Sequence, residues 1–313
     1  MLTCNNNRVS AVVLAYSRDK ILPDLIDALR NQTRKPDEII VINQGNNQVI
    51  ASWLAEQHDL TVITQENRGS AGGFCAGIVE SIQRGHGWTW VFDDDAVPAL
   101  TALEEIVKCP YFNQKETVFL GSRIIDRHGK TYMSPGGSES IAWYGTVLDD
   151  KCVEAVDGCW LGLLVRTQAV FDAGLPVAEF FLWDEDREFI TRLARYGKGY
   201  CVLTSVVTHF QDDTFDPFGK DFIKIAYYAR NHVARAKLIP GSFAAKTLRV
   251  SRELFRGFIR VFKGEWPFKV LPWIFRGAFL FWPKIKFMDQ HEKTGSSSIT
   301  AKSKRPTNNF MSE

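Results

Sequence analysis

Asp93, Asp94 and Asp95 are consecutive carboxylates that follow the apolar run WTWVF (88–92) and precede Ala96-Val97-Pro98. Like charges this close repel one another unless something positive sits among them. A D-x-D pair leaving a strand suits a hard divalent cation, Mn²⁺ or Mg²⁺, whose remaining positions are filled by diphosphate oxygens. The competing reading is a solvated acidic turn that caps the next helix. A second acidic group, Glu185, Asp186 and Glu188 in WDEDREF (183–189), opens a helix whose apolar face is Phe189, Ile190 and Leu193. One of these carboxylates could take a proton from a hydroxyl as a general base; acids complementing a helix dipole are the ordinary alternative. His209 ends the apolar run SVVTH and suits a third metal ligand, although a satisfied histidine at a strand end is the commoner case. His232, beside Arg230 and Arg235 in YYARNHVAR, reads as a solvent-facing helical residue.

Such groups need elements to position them, and the first half of the chain alternates two hydrophobic periods. SAVVLAY (10–16), EIIVIN (38–43), LTVITQ (60–65) and WTWVF read as strands, separated by helices around Ile21 to Leu29, Gln48 to Gln57 and Phe74 to Ile82. That alternation argues for an α/β fold, a mostly parallel sheet flanked by helices. Ligands of such sheets bind beyond the carboxyl ends of the strands. YSR (16–18), NQGN (43–46), ENRGSAGG (66–73) and DDDA (93–96) therefore line one crevice. NRGSAGGFCAG (67–77) places small residues at a strand-to-helix handover, where backbone amides attract anions. It is neither G-x-G-x-x-G nor a P-loop, and glycine used for tight packing is the alternative. Further on, turns are expected at Gly136-Gly137 and Asp149-Asp150, then a buried run with a helix ended by Gly174 and Pro176, then strands YCVL and SVVTHF.

Composition excludes several classes. The 313 residues are 45% apolar and 24% charged, with a net charge of +2, which describes an ordinary globular protein with no global reason to bind nucleic acid. The six cysteines form no C-x-x-C pair, so free thiols in a reducing compartment are expected. The N-terminus does not read as a secretory signal and no apolar run is long enough to span a bilayer, which points to the cytoplasm. From 240 to 290, ten Lys and Arg residues face Glu253, Glu265 and Asp289, interleaved with phenylalanines and tryptophans from Phe255 to Trp282. A basic, aromatic amphipathic segment of this kind suits an anionic membrane surface, with a dimer interface or a flap as the alternative. The expected division is a catalytic domain over 1–235, a helical membrane-associating segment over 236–291 and a polar, disordered tail over 292–313.

VVLAYSR, LRNQTRKPDEIIVINQGN, ENRGSAGGF, WTWVFDDDAVP, FFLWDEDREFITRLARYG, VVTHF and YYARNH, in this order over residues 9–232, resemble the family-two glycosyltransferases, in particular their galactofuranosyl- and rhamnosyltransferase-like branch. The resemblance implies a GT-A fold and an inverting, metal-dependent transfer of a sugar from a nucleotide diphosphate. It makes Asp93, Asp95 and His209 the metal site and Asp186, with Glu185 beside it, the base. Ala15, Tyr16, Arg18, Asn43, Asn67, Arg68, Gly72 and Asp94 then hold the nucleotide, and Trp160, Trp183 and Asp184 lie near the sugars. The donor it implies is UDP-galactofuranose, with dTDP-rhamnose second. The acceptor is a lipid-linked glycan of a bacterial cell-surface polysaccharide such as an O-antigen, met at the inner face of the cytoplasmic membrane. Asn43-Gln44 departs from the family, which usually has an acidic residue there. A nucleotidyltransferase and a nucleotide-sugar-binding scaffold without turnover are the competing classes.

Overall fold

A computed structural model describes residues 5–133, 147–210 and 221–289. Its first four strands are β1 (Asn5–Ala15), β2 (Glu38–Asn43), β3 (Thr61–Thr64) and β4 (His86–Asp93). They pair in parallel in the order β3-β2-β1-β4. Alternate residues of β1 feed two cores, as a strand buried on both faces requires. Val9, Ala11 and Val13 pack with α1 (Leu22–Arg30) and α2 (Gln48–Ala55). Val12 and Leu14 pack under α3 (Gly69–Gln83). That helix lies close on β1 because a Cβ at Gly73 or Gly77 would stand 2.3 Å from Leu14 or Val12. The Asn47 side chain starts α2 by accepting from the Val49 amide at 2.9 Å.

The second half is mixed. After β5 (Ala96–Pro98) and α4 (Ala102–Lys108) come β6 (Thr117–Ile125), β7 (Thr131–Met133), β8 (Cys152–Ala155), β9 (Leu163–Arg166), α5 (Thr167–Ala173), α6 (Glu185–Leu193) and β10 (Lys198–His209). β9 sits antiparallel between β4 and β6, while β10 is parallel to β6 and antiparallel to β5 and β8. YCVL and SVVTHF, expected as two strands, are one strand whose register shifts between Val202 and Val206. The interruption is a bulge in which the buried Ser205 hydroxyl meets that of Ser122 at 2.8 Å. Asp149-Asp150 forms the expected bend; Gly136-Gly137 and the tail over 292–313 lie outside the described residues.

The remaining helices are α7 (Phe222–Leu238), α8 (Phe243–Phe262) and α9 (Leu271–Phe275). Position 235 falls inside α7, which belongs to both parts of the molecule. Its Ile225, Ala229 and Val233 pack with Val261, Trp266, Val270 and Ile274. Ala234 packs with Ala71, Val177 and Phe180 of the sheet body. Leu248, Phe255 and Phe262, spaced by seven on one face of α8, stay 72%, 65% and 76% exposed. Among the described residues no helix is long and apolar enough to cross a membrane.

Candidate active site

The carboxyl ends of β1, β2 and β4 open on a crevice of about 420 Å³, the place where parallel α/β sheets bind ligands. The three aspartates after β4 answer their mutual repulsion differently. Asp94 is buried, and its Oδ2 accepts from the amides of Tyr16 (2.9 Å), Ser17 (3.0 Å) and Arg18 (3.1 Å). Its carboxylate therefore pins the loop after β1, where a nucleotide contact was expected. Asp95 has its Oδ1 3.1 Å from His209 Nε2 and its Oδ2 3.7 Å from Arg18 Nε. The antiparallel pairing of β5 and β10 sets His209 opposite Ala96, next to Asp95. Asp93 receives no such help: burial, then Asp95, Asp94, Glu185 and Asp186, all drive its pKa well above the usual carboxylate range.

The carboxylates of Asp93 and Asp95 are hard donors that could hold Mn²⁺ or Mg²⁺, and the softer imidazole of His209 stands beside them, its Nε2 3.1 Å from Asp95 Oδ1. Such a cation would supply the counter-charge that Asp93 lacks. Among the described residues neither these three side chains nor any other three His, Cys, Asp or Glu groups are gathered as a metal-holding cluster.

Glu185 and Asp186 reach the same crevice from the start of α6. Burial pushes both carboxyls above their ordinary values, and the charge of Asp186 adds to the rise at Glu185. The Ser70 hydroxyl, donated to Glu185, opposes the rise there, and the Arg187 amide, 2.6 Å from Asp186 Oδ1, opposes it at Asp186. Two interacting carboxyls of this kind titrate as a pair. Trp160 stacks on Phe74 with ring centroids 4.6 Å apart and forms part of the apolar wall, with Leu161, Phe181 and Trp183.

The turn that presents this pair is strained. Phe181, Trp183 and Asp184 all have φ of 67°, a region non-glycine residues rarely occupy. What holds it is Asn231, fully buried on α7, whose amide donates to the carbonyls of Phe180 (2.9 Å), Leu182 (2.9 Å) and Trp183 (2.7 Å). Arg230 adds a bond to the Phe180 carbonyl at 2.8 Å, and its guanidinium stacks over Phe281 at 4.1 Å. Gly69, at φ +68°, lets α3 start against the same turn, since a Cβ there would meet the Phe181 carbonyl oxygen at 1.9 Å. Sequence reasoning missed this clamp. The signal was three polar residues in a row, Arg230-Asn231-His232: consecutive helical positions span about 200°, so one of them has to face the packed side.

Tyr16, Arg18, Asn67, Asp93, Asp94, Asp95, Trp160, Trp183, Glu185, Asp186 and His209 line the crevice, with Gln44 of NQGN, Ser70 of ENRGSAGG and, from outside the expected segments, Lys224. Ala15, Asn43, Arg68, Gly72 and Asp184 are not among the lining residues. Ala15 and Asn43 are paired across β1 and β2 and buried, whereas their neighbours Leu14, Tyr16 and Gln44 line the crevice. Gln44 ties the glycine-rich segment by donating to the Gly69 carbonyl at 2.9 Å and accepting from the Arg68 amide at 3.4 Å. The Cα of Gly72 faces the Arg68 side chain, where a Cβ would stand 2.4 Å from Arg68 Cβ; here packing explains the glycine. The carboxylate of Asp184 is turned to α7, with Oδ2 3.1 Å from Arg235 Nε and 3.8 Å from His232 Nδ1. Burial pushes it up to about 7 against the pull of Arg235. His232 is correspondingly half-buried between Asp184 and Glu253 (3.2 Å) and does not face solvent.

A nucleotide-diphospho-sugar transferase is the class that this mixed sheet, with a D-x-D at the end of β4 and an acid pair on α6, defines. Residues 10–164 match the family described as Glycosyl transferase family 2, and the chain belongs to that family of glycosyltransferases, with a GT-A fold. It is 27% identical over 226 residues to galactofuranosyltransferase GlfT1 of Mycolicibacterium smegmatis, covering 67% of this chain and 73% of that protein. For GlfT1 of Mycobacterium tuberculosis H37Rv the identity is 24% over 222 residues, 67% and 72% of the two chains. Among solved structures, GalNAc-T7 with UDP, GalNAc and Mn²⁺ superposes with a TM-score of 0.57 at 13% identity, covering 83% of this chain and 58% of that one. S. aureus TarS 1–349 in complex with UDP-GlcNAc gives 0.56 at 12% identity, covering 86% and 79%.

Proposed function

We propose that the protein transfers galactofuranose from UDP-galactofuranose, with inversion, to a lipid-linked saccharide during synthesis of a bacterial cell-surface polysaccharide of the O-antigen kind. The observation that carries the reading is one crevice holding both acid groups, Asp93 with Asp95 and Glu185 with Asp186, close enough for the second pair to raise the pKa of Asp93. The GlfT1 relatives support the sugar. Tyr16, Arg18 and Asn67, on segments ordered by Asp94 and Gln44, receive the nucleoside diphosphate. Asp93, Asp95 and His209 hold Mn²⁺ or Mg²⁺, which when bound supplies Lewis-acid stabilisation of the charge on the departing diphosphate. Asp186 accepts the proton of the acceptor hydroxyl as its oxygen bonds to the anomeric carbon and the bond to the diphosphate breaks. Attack opposite the leaving group inverts that carbon. A carboxyl raised by burial suits this work, because a base is most effective when its pKa lies near the operating pH. Trp160 and Trp183 wall the sugar positions.

The exposed apolar face of α8 and the lysines and arginines around it support a peripheral place on the inner face of the cytoplasmic membrane. dTDP-rhamnose is the second donor, because Asn43-Gln44 supplies no carboxylate that would select between uracil and thymine. The test is release of nucleoside diphosphate from a panel of nucleotide sugars, with and without Mn²⁺ or Mg²⁺. Metal-dependent release of UDP from UDP-galactofuranose is expected; release from dTDP-rhamnose instead would overturn the donor and leave the chemistry standing.

A further inference from the structure

A second cavity, of about 620 Å³, lies between α7 and α8 and touches the first site through consecutive residues: Asp186 lines the crevice and Arg187 lines the cavity. Its wall carries Arg187, Arg235, Arg252, Arg256, Arg260 and Lys263 against only Glu253 and Glu265. Arg235 and Arg187 are matched from outside the cavity by Asp184 (3.1 Å) and Asp157 (3.2 Å). Glu253 is shared by Arg252 (3.1 Å), Arg256 (2.9 Å) and His232 (3.2 Å), and Glu265 is 3.8 Å from Arg260. Six cations thus meet four carboxylates, and Lys263 has no carboxylate partner among the described residues. The neighbouring His232, lowered to about 4 by burial and Arg235, adds no charge near neutrality. Trp266 forms an aromatic side of the cavity, with Arg260 over its ring at 4.9 Å. Like charges gathered in one concave, solvent-open site repel one another and attract an anion.

The rim says what kind of anion. Ile259 lines the cavity and is 37% exposed, and on the same helix Phe255 and Phe262 stand in solvent. A cationic hollow continuous with an exposed apolar face is complementary to an amphiphile, the head inside and the tail along α8. We propose that this cavity seats the phosphate or diphosphate head of the lipid that carries the acceptor saccharide, so that the attached sugar passes Arg187 to reach Asp186. The proposal rests on the lipid-linked acceptor inferred above and assigns that lipid its place on the protein. Bulk phospholipid shares the phosphate chemistry and is separated from it by the test.

The full-length protein is sedimented with phosphatidylcholine vesicles containing either a polyprenyl diphosphate or phosphatidylglycerol at matched surface charge. Preference for the diphosphate vesicles is expected, with inorganic pyrophosphate competing. Arg256→Gln combined with Lys263→Gln, both exposed side chains, is expected to weaken diphosphate binding about tenfold, the worth of one charge-assisted hydrogen bond. Arg256→Lys retains most of the binding and controls for folding. Equal binding of the two vesicle types, or diphosphate binding unchanged in the double variant, would overturn the proposal. Hydrolysis of UDP-galactofuranose, read in parallel, is expected to be the same in wild type and double variant. Its absence from both would defeat the donor reading while the vesicle result still decides the cavity.

Discussion

The crevice and the second cavity sit on either side of one peptide bond, yet they are opposite in charge and in construction. The acids of the crevice are placed by backbone: strand ends, three consecutive amides on Asp94, and a turn held by Asn231. The bases of the cavity are long side chains on helices, Arg252 and Arg256 still 60% and 58% exposed. Buried carboxyls on a fixed frame acquire shifted pKa values; solvated guanidiniums on flexible stems keep their charge and adapt to what binds. The net charge of +2 averages these two regions and describes neither.

The largest effect that would break this contrast is at Asp93. Asp93→Asn is expected to lower transfer about a thousandfold, the scale on which a positioned electrostatic group acts. Because the native state disfavours the Asp93 charge, the same change is expected to raise the melting temperature without added metal. A variant that lost both activity and stability would show that Asp93 is a structural residue. Next comes the frame. Asn231→Ala takes the side-chain donor from the Leu182 and Trp183 carbonyls, while Phe180 keeps Arg230, and is expected to cost about 2 kcal/mol of stability by denaturant titration. A loss well under 1 kcal/mol would mean that the turn holds itself.

Asp184 belongs to the buried side of this contrast and makes stability depend on pH. Its folded value of about 7 lies above the roughly 3.9 of a free aspartate, so the native state binds the proton more tightly than the unfolded one. The associated stability is full below about pH 4 and is lost as pH rises through about 7. Asp184→Asn is expected to shrink the stability difference between about pH 5 and about pH 8 by about 2 kcal/mol; an unchanged profile would show that Arg235 keeps Asp184 ionised throughout. The smallest effect belongs to the basic side: Phe255→Ser with Phe262→Ser is expected to reduce binding to anionic vesicles severalfold and to leave UDP release in solution unchanged. Vesicle binding untouched by that pair would remove α8 from the membrane.

The parallel half of the fold was legible because its strands are apolar runs separated by helical periods, and the site because D-x-D and WDEDREF are local patterns at strand and helix ends. β9 was not legible as antiparallel: three apolar residues, Leu163 to Val165, buried on both faces read the same in either direction. The bulge in β10 depends on Ser122, which is distant in sequence. NQGN put Gln44 at the crevice, but its role as a tie escaped, as Asn231 did, because both bond to the backbone of other segments. Asp184 lies beside the two crevice acids in sequence, but the left-handed turn rotates it toward α7, and side-chain direction at a positive φ cannot be read from helical spacing.

If Asp186 takes the acceptor's proton, as proposed, the crevice around it still binds the donor without that carboxylate. Asp186→Asn, assayed for transfer and for nucleotide-sugar binding in the same preparation, tests it most directly. Transfer reduced by a factor of about 10² to 10⁴ with donor binding nearly intact is the expected result; transfer at the wild-type rate would contradict it.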